Sequence, residues 1–290
     1  MRAFFFCLLL FAEQTPVLAR IWIVRRPKTH YPIPMDLTRR ETLAAAALLL
    51  PGLAAAAEPD LEVPYVPTPP ELVERMLELA RVGASDYLID LGCGDGRIAI
   101  AAARRGARAL GVDLDPARIE QAVAAAGFAN LGNLVRFRRQ DLFRTPIFEA
   151  SVIALYLLPS VNLRLRPRLL TELRPGARVV SHNFDMGDWR PEADERHEAG
   201  RVLLWTVPAI AGGSWTMNMA DGATFTLELD QLFQDVTGTM TGGGRVVEIE
   251  HGLLHGTAFT FTAAGHVYAG TIEDSAITGT DSPWRAVRLG

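Results

Sequence analysis

The sequence holds little cysteine, no excess of positive charge and no apolar run long enough for a membrane span. Its two cysteines, Cys7 and Cys93, can build neither a disulfide framework nor a cysteine-rich metal site. The formal net charge of −4 does not favour a nucleic-acid partner. The apolar runs at 3–12 and 43–57 are too short to cross a bilayer. A chain of 290 residues can instead bury a sizeable core, and two domains are expected.

Glycine is concentrated at one point, in the stretch Tyr87-Leu-Ile-Asp-Leu-Gly-Cys-Gly-Asp-Gly-Arg97. An apolar strand ends there in an acid, glycine then occupies every second position, and a helix is predicted to follow. Glycine lets a ligand approach the backbone, and the helix N-terminus offers free N–H groups. A dinucleotide loop would need its third glycine at position 97, where the chain has Arg97. The pattern D-x-G-x-G-x-G resembles instead the cofactor loop of class I S-adenosylmethionine (SAM) methyltransferases.

Acidic residues also follow the next two predicted strands. The strand 109–113 ends in Asp113, 23 residues after Asp90, where a carboxylate can accept both hydroxyls of a ribose. A third strand, 135–139, leads into Asp141. Either acid alone is also explained as an ordinary solvated loop residue. Acids at three successive strand ends together predict a nucleoside cofactor.

The resemblance implies a Rossmann-like α/β sheet with helices on both faces, SAM as cofactor, and Asp141 as the partner of the adenine amino group. The segment 65–68 is expected to fold over the methionine end of SAM. Thr68 has a second explanation as the cap of a helix over 71–81, because Glu71 follows it by three residues. Cys93 is either a small residue in a tight loop or a redox-sensitive thiol. The expected cofactor residues are Tyr65, Thr68, Asp90, Gly92, Cys93, Gly94, Gly96, Asp113, Leu114, Asp141 and Leu142.

Further motifs indicate which group of methyltransferases the chain resembles. The runs P-Y-V-P-T-P, D-L-G-C-G-D-G-R, Y-L-L-P and S-H-N-F-D-M-G-D-W lie in that order within residues 63–208. Together they resemble bacterial relatives of the mitochondrial lysine methyltransferases that modify the ATP-synthase c subunit and the adenine-nucleotide carrier. The fourth strand ends in Tyr156-Leu-Leu-Pro159 rather than in N/D-P-P-Y/F. This difference argues against methylation of adenine N6 or of glutamine.

Three side chains near the ends of the fourth and fifth strands are candidates for catalysis: Tyr156, His182 and Asp185. Residues at this edge of an open α/β sheet face the ligand. An imidazole has a suitable pKa for removing a proton from an amine, so His182 is a candidate base. The alternative is that His182 is a hydrogen-bonded residue at a strand end.

In the last part of the chain, polar and apolar residues alternate with the two-residue period of β-strands. Thr224–Leu229 and Thr257–Thr262 alternate polar and apolar residues, and Gly242–Gly244 supplies a hairpin turn. About six antiparallel strands are expected in a small barrel or sandwich over 211–290, with Trp215 and Trp284 in its core. No metal site is expected. The sequence does not distinguish a substrate-recruiting domain from a passive appendage.

The first 57 residues read as targeting sequence rather than as part of the fold. Arg39 and Arg40 precede an Ala/Leu run that ends in an A-x-A type cleavage site before Glu58, which resembles a twin-arginine export signal. Residues 1–34 are interpreted as an upstream-start artefact. The expected domains are therefore 1–57 for targeting, 58–210 for the methyltransferase and 211–290 for the β domain, with a periplasmic or exported location. A disordered tail on a cytoplasmic enzyme is the alternative.

The sequence is compatible with three functions. The motifs favour a SAM-dependent protein-lysine N-methyltransferase, with a protein as methyl acceptor. A small-molecule N- or O-methyltransferase would use the same cofactor loop. A non-catalytic exported binding protein on this fold would explain why an export signal accompanies a site for a cytosolic cofactor, but the intact glycines and acids argue against it.

Overall fold

The computed structural model describes residues 65–289. The proposed twin-arginine segment and cleavage site lie outside these residues. Within them, no helix is both long enough and apolar enough to cross a membrane. Two sheets account for most of this part of the chain, a seven-stranded sheet flanked by helices and a closed barrel of eight strands.

The seven-stranded sheet has the order β3-β2-β1-β4-β5-β7-β6. Its first five strands are parallel, and β7 pairs antiparallel with both β5 and β6. Continuous burial of four consecutive residues in β4 and in β5 is typical of a sheet covered on both faces. The strands are β1 Tyr87–Leu91, β2 Arg108–Asp113, β3 Val135–Arg139, β4 Val152–Leu155, β5 Arg178–His182, β6 Ala193–His197 and β7 Gly200–Thr206.

Among the described residues, four α-helices cover the sheet: α1 Pro70–Leu79, α2 Arg97–Arg104, α3 Pro116–Phe128 and α4 Pro159–Glu172. One core, on the α1 and α2 side, is rich in alanine and includes Met76 and Leu77. A second core on the other face contains Leu165, Trp189 and Trp205. The Rossmann-like fold expected from the sequence is confirmed.

The start of α1 corrects one expectation. Pro69 stands at the N-cap position and no side chain caps the helix, so the capping box of Thr68 and Glu71 does not form. The Thr68 hydroxyl instead contacts His182 Nδ1 at 3.2 Å. A contact between residues 114 apart in sequence cannot be read from local spacing. The helix and its C-cap residue bury five apolar side chains, Leu72, Val73, Met76, Leu77 and Ala80.

The C-terminal sheet is a closed barrel with the order β10-β11-β12-β13-β14-β15-β8-β9. Barrel is therefore the right one of the two expected architectures, but the expected number of about six strands was too low. Trp215 and Trp284 are both buried in the barrel core with Phe259 and Phe261. The strands are β8 Gly213–Met219, β9 Thr224–Leu232, β10 Asp235–Gly242, β11 Arg245–His255, β12 Ala258–Ala263, β13 His266–Glu273, β14 Ala276–Gly279 and β15 Trp284–Arg288.

The barrel touches the sheet at the edge where β5 starts. Gly256 lies against the backbone of Gly176, just before β5, and its carbonyl accepts a hydrogen bond from Ala209 N at 2.8 Å. Beside this contact, His255 Nδ1 lies 3.1 Å from a carboxylate oxygen of Glu192. Parallel strands end at the opposite edge of the sheet, so the barrel and the strand tips lie on different edges.

Candidate cofactor site

A cleft with a volume of about 240 Å³ opens where β1, β2, β3 and β4 end. Every one of its lining residues lies between positions 65 and 164, so the barrel contributes none. Adjacent strand ends bring the acids Asp90, Asp113 and Asp141 to one wall of the cleft. Leu114, Leu142 and Cys93, three more of the expected cofactor residues, also line it.

The glycine loop places backbone directly on the cleft wall. Gly94 has a φ of +52°, a conformation that side chains rarely adopt, and a Cβ there would lie 2.4 Å from Tyr65 Cε2. The Gly94 N–H donates to Asp113 Oδ2 at 2.9 Å. This bond ties the loop after β1 to the end of β2, and any larger residue at position 94 would displace the aromatic ring above it.

The acids after β2 and β3 are oriented by backbone N–H groups. Asp113 accepts a second hydrogen bond from Asp115 N at 3.0 Å, and Asp141 accepts one from Phe143 N at 2.8 Å. Both carboxylates remain part of the cleft wall with acceptor capacity left over. They can accept hydrogen bonds from hydroxyl or amino groups of a ligand, as a nucleoside requires.

Asp90 differs from these two because it is buried, with 2% of its surface exposed. Its Oδ2 has no hydrogen-bond partner within residues 65–289. Burial, together with the nearby charges of Asp113 and Asp95, raises the pKa of Asp90 to about 8. An unpartnered buried oxygen in the cleft wall indicates a hydrogen-bond partner that a ligand or water supplies.

The strap, residues 65–69, closes one side of the cleft. Its Tyr65 ring lies under the guanidinium of Arg118 in α3, 3.7 Å from the ring centroid. Arg97 donates to the carbonyl of Thr68 at 2.8 Å and pairs with Asp95 at 2.6 Å. Neither Arg97 nor Arg118 was among the cofactor residues expected from the sequence, and both line the cleft. The presence of Arg97 where a dinucleotide loop would have its third glycine was the one sequence feature that could have drawn attention to it.

The three catalytic candidates do not lie together on the cleft wall. Tyr156 lines the cleft, and His182 lies behind it with the two ring centroids 3.8 Å apart. His182 is buried, which lowers its pKa to about 4 and leaves the ring neutral near pH 7. Asp185 lies outside the cleft lining, where its carboxylate accepts from Gly187 N at 3.1 Å and lies 3.9 Å from Arg201.

The far side of the cleft from Asp141 is the β4 end, formed by Thr68, Tyr156 and Leu157. Cys93 lies between the two sides and is buried, and burial raises the pKa of its thiol. A thiol held protonated is a poor nucleophile. Packing in a tight loop is therefore the better explanation of Cys93.

These residues fit SAM. The cleft has acceptors for an adenosine on the β2 and β3 side, close backbone approach at Gly94, and an unpartnered buried oxygen on Asp90. SAM when bound would supply a methyl group attached to a positively charged sulfur, and the neutral thioether that remains after methyl transfer is a good leaving group. Asp113 and Asp141 would hold its nucleoside, which leaves the β4 end for the methyl donor and acceptor.

Comparison with known proteins supports this site. The family model of the ANTKMT methyltransferase domain matches residues 90–193. The protein-lysine N-methyltransferase of Saccharolobus islandicus is 42% identical over 142 residues, 48% of this chain and 88% of that protein. The adenine nucleotide translocase lysine N-methyltransferase of Mus musculus is 37% identical over 163 residues, 56% of this chain and 70% of that protein.

A solved structure is also similar, that of an RNA methyltransferase from Salinibacter ruber in complex with S-adenosyl-L-homocysteine. It is 52% identical, covers 50% of this chain and 95% of that chain, and has a TM-score of 0.49. The cleft with its three acids and the family match over residues 90–193 both indicate a SAM site at the ends of β1–β4. This chain belongs to the ANTKMT methyltransferase family and is a SAM-dependent methyltransferase.

Proposed function

We propose that the chain methylates the side-chain amine of a lysine in a protein. Two relatives that match more than two thirds of their own length with this chain are named as lysine methyltransferases. The observation in the structure that carries the proposal is the β4 end. There Tyr156 lies on the cleft wall, backed by the neutral ring of His182.

An aromatic wall without a charged group behind it suits a lysine side chain. The face of Tyr156 can attract an ammonium group, and the apolar Leu157 and Val161 beside it can contact the methylene stem. Stacking on His182 and, at 6.2 Å, on Phe184 fixes the Tyr156 ring. Positioning and water exclusion are the main contributions that a protein makes to such a displacement.

The amine must lose its proton before it can attack. His182 is unsuited to accept it, because its ring is buried behind Tyr156, and Asp185 lies outside the cleft lining. We therefore expect the proton to leave to solvent. The value of kcat/KM should rise about tenfold per pH unit from pH 7 toward the lysine pKa of about 10.4. A plateau that starts near neutral pH would indicate a base within the enzyme.

The test measures transfer of a labelled methyl group from SAM to a panel of basic proteins, with the same proteins chemically acetylated on lysine as matched controls. The chain offers a clean background, since its only lysine is Lys28 and a protein beginning at Glu58 has none. Label should enter an unmodified acceptor and be lost on acetylation. Transfer to RNA or to small amines alone would contradict the proposal.

Tyr156 provides the matched variants for the same assay. Tyr156→Phe keeps the aromatic face and should retain methylation within about threefold, whereas Tyr156→Ala removes the wall and should lower kcat/KM at least tenfold, the size of a cation–π and packing contribution of about 1–2 kcal/mol. SAM affinity, measured by calorimetry, should change little in Tyr156→Phe. Equal activity in both variants would exclude the aromatic wall from acceptor binding.

A further inference from the structure

We infer that His182 is a positioning residue that orients the Thr68 hydroxyl and supports the Tyr156 ring, and that it is not the base of the reaction. The inference rests on the proposed function, because it concerns the same end of the cleft. His182 is the last residue of β5 and has 2% of its surface exposed. Its ring contacts two residues of the cleft wall, Thr68 and Tyr156, from the side away from the cleft.

The first contact is with the strap. His182 Nδ1 lies 3.2 Å from Thr68 Oγ1, and the Thr68 carbonyl accepts from Arg97 Nη1 at 2.8 Å. The strap is therefore held at Thr68 through both its side chain and its backbone. The second contact is the stacking on Tyr156 at 3.8 Å, so one ring supports both polar members of the β4 end.

The other ring nitrogen faces away from the cleft. Nε2 is buried without a hydrogen-bond partner in the part of the chain that the structure describes. It lies against Gly200 at the start of β7, where a Cβ would come within 2.7 Å of it. A base must reach the proton that it removes within hydrogen-bond distance. Nε2 has no such access, and Nδ1 is already engaged by Thr68.

The absence of a hydrogen-bond partner for Nε2 within the described residues also indicates which nitrogen of the His182 ring carries the proton. A buried N–H without an acceptor is rarer and more costly than a buried lone pair without a donor. The proton of the neutral ring is therefore on Nδ1, which donates to Thr68 Oγ1. The Thr68 hydroxyl proton is then free to point into the cleft, which Thr68 lines. It can donate to an anionic oxygen there, such as the carboxylate of the methionine part of SAM.

Nitrogen NMR of the purified wild-type protein tests the tautomer directly, with the His182 signal assigned by its loss in His182→Phe. A neutral ring protonated on Nδ1 should persist from pH 6 to 8. A titration with a midpoint at roughly 6.5, the ordinary value for histidine, would overturn the inference. This readout needs neither SAM nor an acceptor, and a variant is used only to assign the signal.

A double-mutant cycle tests the coupling through SAM affinity, measured by calorimetry. Thr68→Val and His182→Phe each remove one partner of the hydrogen bond, and each should weaken SAM binding about fivefold, the effect of one neutral hydrogen bond. Because His182 is expected to act on SAM through the Thr68 hydroxyl, the double variant should lose no more SAM affinity than Thr68→Val alone. Thr68→Ser keeps the hydroxyl and should restore wild-type affinity.

Unchanged SAM affinity in both single variants would refute the positioning role. So would normal SAM affinity in His182→Phe combined with a loss of methyl transfer that Thr68→Val does not share, since that pattern indicates a base. Thermal unfolding shows whether each variant folds. If the wild type methylates no lysine, the proposed function fails, while the NMR and calorimetric results on His182 remain valid in their own right.

Discussion

Replacement of Asp90 by asparagine should change how the stability of the protein depends on pH. Asp90 is buried at the end of β1, and its pKa is about 8, raised by burial and by Asp113 and Asp95. In the unfolded chain the pKa of an aspartate is about 3.9. The folded protein therefore holds a proton on Asp90 between these two values, where the unfolded chain has released it.

The sign of the effect follows from this difference in bound protons. Because folding takes up a proton, the free energy of unfolding falls as the pH rises from about 4 to about 8, by up to about 1.4 kcal/mol per pH unit. Asparagine carries no proton to lose, so Asp90→Asn abolishes this contribution. From pH 5 to pH 7.5 the variant should gain up to about 3 kcal/mol relative to the wild type.

Urea unfolding of the cofactor-free protein at pH 5, 6, 7 and 7.5 measures this gain. The quantity to compare is the slope of the free energy of unfolding against pH. The amide introduced by the substitution has unmet hydrogen bonds of its own, but their cost does not vary with pH and so leaves the slope unchanged. Asp221→Asn, at an exposed turn of the barrel, controls for the removal of one carboxylate. Parallel stability curves for the wild type and Asp90→Asn would show that Asp90 is ionised in the folded protein, against this reasoning.

Three further predictions concern the cofactor, the domains and the location. Asp113→Ala should weaken SAM binding by about 1–3 kcal/mol through lost hydrogen bonds to the ribose, and unchanged affinity in calorimetry would remove Asp113 from the site. A 58–210 fragment should still bind SAM but melt at a lower temperature, because it lacks the Phe233 ring that stacks at 6.2 Å on Trp189 of the sheet domain; an insoluble fragment would contradict the two-domain interpretation. Replacing Arg39 and Arg40 by lysine should retain an otherwise exported protein in the cytoplasm, and fractionation that finds the wild type uncleaved there would contradict export.

The parts of the fold that local patterns determine could be predicted from the sequence. The third strand was predicted with the observed bounds, 135–139. Asp115, directly before Pro116, caps α3 by accepting a hydrogen bond from Ala117 N at 2.8 Å, a local pairing of residue types that favours a helix start. The three acids reach one cleft because parallel strands end at one edge. The first two features depend on residues that are near one another in the sequence, and the third depends on the parallel order of the strands.

Other parts depended on contacts that the sequence does not display. Strand β6, Ala193–His197, was missed because four of its five residues are charged or histidine and none is buried, so no alternating pattern marks it. The hydroxyl of Thr68 could have capped the following helix or bonded to a ring that is distant in the sequence, and tertiary packing places it against His182. Asp185 has a suitable place in the sequence for the cleft, but the turn at Gly187 holds its carboxylate elsewhere.

The position of the barrel sets a length requirement on any target that it holds. It contacts the sheet where β5 starts, at Gly176, whereas the cleft lies where β1–β4 end. A strand of five residues is roughly 16 Å long at about 3.3 Å per residue. A segment bound at the barrel must therefore be separated from the methylated residue by at least about five extended residues, since each adds at most about 3.6 Å. Selection among the lysines of such a target would then depend on spacing along its chain, as well as on the residues that flank each lysine.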